Sequence, residues 1–271
     1  QEQEGGTFNL TGLELKNPQL ALTGGGSFAG GDVDGQFDLD FSDLGALGKN
    51  FGGLLKATAQ IQTEGETRNI TVTGTGTELS VGQAQADNAL RGETALTVNA
   101  QQKGDLLNIT EARAQNRQLV ATAKGAISSS GTNINAHAEI GTLGALAANW
   151  QGALSADAIL TEAPGGTRNL RVDAVGQNIA LGQVNADGAL SGQTDITVLA
   201  EQAPDGTIDV KSVDIRNPQL TANASAQIKG GAIDGQAAAQ VQDLSLLGRG
   251  WEGTLDATAK ITTDTAGTRQ V

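Results

Sequence analysis

The chain has 271 residues, 38 of them Gly, with no Cys, Met or Tyr, five Phe and two Trp, and its formal net charge is −13 from 17 basic and 30 acidic residues. Zero cysteines exclude disulfides, thiolate catalysis and Cys–zinc sites. The acidic balance argues against nucleic acid and against anionic membrane surfaces, both of which recruit Lys and Arg.

The apolar content is mostly Ala, with Leu, Ile and Val, which suits one face of a sheet better than a thick core. No stretch reaches the roughly 18 apolar residues of a membrane span, and no signal peptide opens the sequence. The missing initial Met and the abrupt end "AGTRQV" are expected of a piece of a longer protein.

The first strand signal follows "NPQLALT" at Asn17, with Leu20, Leu22 and Phe28 on its apolar side. Val33, Gly35, Phe37, Leu39 and Phe41 then alternate with Asp34, Gln36, Asp38 and Asp40, and Leu55, Ala57, Ala59 and Ile61 with Lys56, Thr58, Gln60 and Gln62. A period of two marks a strand with one apolar and one wet face. Between these runs lies "SDLGALGKNFGG", in which Leu44, Leu47 and Phe51 fall at i, i+3 and i+7, the spacing of one or two helical turns. We read it as a short excursion that caps the apolar face as a lid or plug. Gly24, Gly26, Gly35, Gly74 and Gly76 are read as bends in long strands.

The same text then returns. "NRQLVAT" begins at Asn116 and "NPQLTAN" at Asn217, while "GETRNITV" recurs as "GGTRNLRV" and then as "GTRQV". Leu119 and Ile127 repeat the first strand. Ile134, Ala136, Ala138 and Ile140 repeat the second; Leu143, Leu146 and Trp150 repeat the excursion, and Leu154 follows it. The third copy supplies Leu220, Ile228, Ile233, Ala237, Val241, then Leu244, Leu247 and Trp251, then Leu255 and Ile261. The period is about 100 residues, so the copies run approximately 17–115, 116–216 and 217–271, the last incomplete. With about eight strands expected per copy, the fold class is all-β: one elongated, curved antiparallel sheet. A single layer must hide its apolar face, which predicts a trough with that face inward.

Long Gly/Ala-rich alternating strands, "NPQL" strand openings, the "DLGALG" insert and the strand "GTLDATAKI" together resemble the repetitive periplasmic region of the TamB family, within the AsmA-like group. The resemblance implies a β-taco-like sheet with a U-shaped cross-section and a hydrophobic groove, in the periplasm of Gram-negative bacteria. It implies an inner-membrane anchor and an outer-membrane barrel partner of the TamA type, both engaged through regions outside this chain. It implies phospholipid transport, with acyl chains shielded in the groove, and support of outer-membrane protein assembly. The alternative that the residues leave open is a structural or adhesive β-solenoid with a dry interior.

No catalytic constellation emerges. His137, the single histidine, lies on the polar side of its strand and reads as a solvated residue rather than a general base. Asp34, Asp38 and Asp40 have the look of a calcium tract, but their counterparts Asn133, His137 and Glu139 favour a negatively charged outer face. Arg68, Arg168 and Arg269 recur after Thr; the readings are a groove rim that meets lipid phosphates or, favoured, a salt bridge or turn contact. No cofactor and no metal site is expected.

Overall fold

The computed structural model of the chain describes residues 2–3, 6–183, 187–248, 250–263 and 269–270. It is all-β and consists of two compact units, residues 1–129 and 130–271. In the first, β2 (Thr7–Lys16), β3 (Leu20–Ala29), β4 (Asp32–Phe41), β5 (Gly52–Glu64), β6 (Thr67–Ser80), β7 (Glu93–Lys103), β8 (Leu106–Gln115) and β9 (Leu119–Ser128) form an open, curved meander. Each strand pairs antiparallel with the next, and a short β1 (Glu2–Gln3) lies against β2. The second unit repeats this order with β10 (Gly131–Ile140), β11 (Gln151–Glu162), β12 (Arg168–Ala180), β13 (Gln193–Gln202), β14 (Ile208–Arg216), β15 (Leu220–Lys229), β16 (Ala232–Val241) and β17 (Leu255–Thr263), ending in β18 (Arg269–Gln270). Antiparallel pairing with hairpin turns differs from the parallel coils of a β-solenoid.

Apart from the two-residue β1 and β18, the strands run from 9 to 14 residues. Residues 17–115 hold six of them, β3 to β8, rather than the eight expected. The remaining length is spent on the 42–51 excursion and on a block around α1 (Ala84–Ala89), which the period-two pattern does not announce. The excursion is a single 3-10 turn at Leu44–Leu47, capped by the Asp43 carboxylate, which accepts from the Gly45 amide at 2.8 Å. Matching 3-10 turns occupy Leu143–Ala145 and Leu244–Leu246.

The in-strand glycines are sites of close approach. A Cβ on Gly24 would stand 2.4 Å from the Gln36 carbonyl oxygen, and the Phe37 ring covers both Gly24 and Gly35. Register shifts fall at Leu10/Leu13, opposite Gly24 and Gly26, and at Gly52/Leu54, Asn99/Ala100 and Ile109/Ala112 in the first unit. Each extra residue restores the apolar side chains to one face after the alternation would have carried them to the other.

Candidate functional site

Register turns the period-two pattern into a surface. In the first unit Leu15, Leu22, Leu39, Ala57, Gly74, Leu96, Ala114 and Ala121 stand opposite one another, strand by strand, from β2 to β9. The next row is Leu13, Gly24, Phe37, Ala59, Val72, Val98, Ala112 and Ala123, and the next Leu10, Gly26, Gly35, Ile61, Ile70, Ala100, Ile109 and Gly125. Leu20, Phe41 and Leu55 flank these rows on one side; Phe28 and Val33 do so on the other, with the Phe8 ring 6.2 Å from that of Phe28. Leu119 and Ile127 share the face of Ala121 by alternation, and Ile127 pairs with Leu107.

The second unit builds the same surface with smaller residues. Ala138, Ala156, Ala174, Ile196, Ile215, Ala222, Ala239 and Ala257 form one row, and Ala136, Ala158, Val172, Val198, Val213, Ala224, Ala237 and Ala259 the next. Ile134 and Ile261 lie in the third row with Leu160, Leu170, Ala200 and Val210. Ile140 faces Leu154; Leu220, Val241 and Leu255 run side by side; Ile228 faces Ile233. The sequence reading omitted β2, β6 to β8 and β12 to β14 from this face, although the alternation in "NITV" and "TALTV" carries it.

Most of these side chains are half-buried. Val241 is buried, whereas Ile127, Leu255 and Ile261 are exposed. A face covered by a second layer would hold fully buried Leu, Ile and Val. Among the described residues the buried apolar set is instead short, and it includes the 3-10 leucines Leu44 and Leu143.

The excursion side chains do not share one buried face. Leu44 and Leu143 are 8% and 3% exposed, while Leu47 and Phe51 are about half exposed, at 59% and 49%. Leu146, Trp150, Leu244 and Leu247 are half-buried and Trp251 is exposed. A 3-10 turn repeats every three residues, so the i, i+7 partner leaves the face that an α-helix would give it. Gly48 then ends the turn.

The opposite face is hydrophilic and carries two shallow depressions among the described residues. One of about 640 Å³ is lined by Asp38, Lys56, Thr58, Thr73 and Thr97, and one of about 660 Å³ by Lys211, Asp214, Asn223, Gln236 and Thr258. A twisted sheet is saddle-shaped, so either face dips along one diagonal. Asp38 accepts from the Thr58 hydroxyl at 2.6 Å, and Asp34 accepts from the Thr63 amide at 2.6 Å. Two of the three carboxylates of the calcium-like tract are thus engaged by neighbouring donors, and Asp40 pairs with Lys56 at 3.3 Å. His137 is not merely solvated. Its Nδ1 lies 2.8 Å from Asp157 and its Nε2 3.4 Å from Glu139, and the hydrogen bond to Asp157 foremost holds its pKa above the ordinary histidine value.

Arg68 and Arg168 stand at the end of the apolar rows, opposite Thr63 and Glu162. Arg68 donates to the Gly31 carbonyl at 3.0 Å, and Arg168 donates to Glu162 at 2.9 Å. These are the turn contact and the salt bridge, respectively. The Arg269 side chain lies outside the described residues.

The most buried side chains are polar. Thr94 and Thr194 are fully buried, and each meets an asparagine of the "NRQL" or "NPQL" motif. Asn116 donates to Thr94 at 3.1 Å and to the Ala89 carbonyl at 2.8 Å, while its Oδ1 accepts from the Gln118 and Leu119 amides. Asn217 donates to Thr194, Ser191 and Gln193, and accepts from Gln219. These asparagines tie the loop before one strand to the block ahead of another, so the motif positions the sheet.

No helix of the described residues is long and apolar enough to cross a membrane. Comparison of the chain with protein-family models, with curated proteins and with solved structures returned no match.

Proposed function

We propose that the apolar face shields phospholipid acyl chains, and that the chain is a bridge-like lipid-transport segment working in the periplasm between two membranes. One observation carries this reading: several adjacent rows of aliphatic side chains cross each unit and stay half-buried rather than sealed under a second layer. Burying an acyl chain there gains about 0.8 kcal/mol per methylene, without any specific site. A headgroup stays at the edge of such a face, because its charge is costly to desolvate. The extended apolar surface needs no catalytic residue. The resemblance to TamB-type repeats adds the envelope setting, the barrel partner and the support of outer-membrane protein assembly to the proposal.

The test is lipid loading. Protein prepared without detergent is incubated with phospholipid vesicles, re-isolated, extracted and analysed by mass spectrometry. Lipid is expected to co-purify, and Ala136→Asp or Ala237→Asp is expected to cut its amount several-fold while circular dichroism stays β-rich. A folded protein that takes up no lipid would sink the proposal.

A further inference from the structure

Arg68 brings a charge onto the apolar face of the first unit. It shares the face of Ile70 and Val72 by alternation along β6, and no register shift interrupts Arg68–Thr77 against either neighbouring strand. Its row is apolar at both ends, with Phe28 and Val33 on one side and Leu107 and Ile127 on the other. Between them stand Thr63, Arg68 and Gln102. The three rows beside it carry no charged residue, and at the far end of the strands the face holds Leu20, Phe41 and Leu55. A guanidinium set against aliphatic side chains is partly stripped of water, and an anion offsets that cost.

The second unit shows the anion in place. There Arg168 stands opposite Glu162, which accepts from its Nε at 2.9 Å. In the first unit Thr63 takes the place of Glu162, and its hydroxyl is already used: it accepts from the Val33 amide at 2.8 Å and donates to the Val33 carbonyl at 2.9 Å. Among the described residues the Arg68 guanidinium makes one hydrogen bond, to the Gly31 carbonyl, and no ion pair. The rest of its N–H fork has no protein acceptor. The surroundings differ as well. Arg68 and Gln102 line a depression of about 250 Å³ whose turns are built of Gly30, Gly31, Gly65 and Gly104, and an added Cβ on any of these four would meet nothing within 4 Å. In the second unit the Pro204 ring covers Gly166 at the matching end, 3.8 Å from its added Cβ. Two carboxylates also line the first-unit depression, but Glu66 pairs with Lys103 at 3.1 Å and Asp32 alternates away from Val33 toward the hydrophilic face.

We infer that Arg68 is the phosphate subsite of the apolar face. A phospholipid lies across the first unit with its phosphodiester on the Arg68 fork and its acyl chains running along the strands toward Leu55. Planar guanidinium matches two phosphate oxygens at once, which fixes the headgroup at this end of the rows. The Gln102 amide, which reaches only the Gly104 carbonyl at 3.4 Å, offers a further donor beside it. In the second unit Glu162 occupies the same cation, so that unit shields chains without reading a headgroup. The inference rests on the lipid-shielding reading and adds to it the headgroup chemistry and the direction in which the lipid lies.

The probe is a phosphatidylcholine vesicle doped with diacylglycerol of the same acyl chains, a lipid that lacks the phosphate. Detergent-free protein is incubated with it, re-isolated and extracted, and the ratio of the two lipids is compared with that in the vesicle. Phosphatidylcholine is expected to be enriched about tenfold, the worth of one charge-assisted hydrogen bond. Arg68→Gln should erase the enrichment with unchanged circular dichroism, and Arg68→Lys should restore part of it. Glu162→Thr, which frees Arg168, should raise the phosphatidylcholine carried per protein. Uptake of both lipids in the vesicle ratio, unaltered by Arg68→Gln, overturns the inference and leaves lipid shielding standing. Displacement of the phospholipid by millimolar inorganic phosphate also overturns it, since the site would then read a free anion. A folded protein that takes up neither lipid overturns both.

Discussion

At the scale of residues, the hydrophilic face is held by short polar contacts that the sequence shows only as alternation. His137 pairs across the strands with Asp157, and along its own strand with Glu139. Because these carboxylates favour the imidazolium, the folded-state pKa lies above the unfolded value of about 6.5. The stabilisation is therefore complete below the unfolded pKa and disappears as pH rises through the folded one. Its size is modest, since the ring is 36% exposed and solvent screens the pair. An NMR titration of His137 should give a pKa above the ordinary histidine value, and Asp157→Asn should lower it; a wild-type value at or below about 6.5 would contradict the pairing. The sequence placed His137 on the wet face through its alternation with Ala136 and Ala138. It gave no sign of Asp157, which arrives from the next strand by register. Thr94 and Thr194 were hidden for the same reason: a Thr in an alternating strand reads as solvent-facing until the asparagine that buries it is known.

At the scale of elements, strand identity was legible and strand irregularity was not. Val33–Phe41 alternates without interruption and forms β4. In β6 the alternation runs through Val72, Gly74 and Gly76, but Glu78 then adopts φ 50° and delivers Leu79 to the apolar side. No local rule marks a glutamate for that conformation. The site is selected by its neighbours, since the Glu78 amide donates to the Gly92 carbonyl at 3.0 Å and its carboxylate accepts from the Gly92 amide at 3.1 Å. Asn178 makes the same pair of contacts with Gly192. Asn tolerates the left-handed region better than Glu, whose Cβ strains there by about 1–2 kcal/mol. Glu78→Asn keeps an acceptor for the Gly92 amide, so it should stabilise the first unit by a few tenths to about 1 kcal/mol. A raised urea midpoint with an unchanged m-value is the expected result; destabilisation would mean that the longer side chain is required.

At the scale of the whole molecule, charge opposes the adhesion of the apolar face. The chain carries apolar rows with no second layer over them, which favour association. What opposes them is a net charge of −13, drawn from an excess of Asp and Glu that sit largely on the hydrophilic face and in turns. Lys56, Lys211 and Lys229 are already paired with carboxylates, so they offset rather than reverse the repulsion. As pH falls toward the isoelectric point near 4.4, carboxylates protonate and the repulsion fades while the apolar area is unchanged. Sedimentation velocity should therefore find a single species at pH 7 and low salt, and larger assemblies as pH approaches 4.5. Added salt at pH 7 should act in the same direction, since about 0.15 M salt screens charges beyond about 8 Å. If the assemblies form through the apolar face, phospholipid vesicles added at low pH should reduce them. A protein that stays monodisperse throughout would mean that the apolar face is not adhesive, and the lipid-shielding proposal would lose its physical basis.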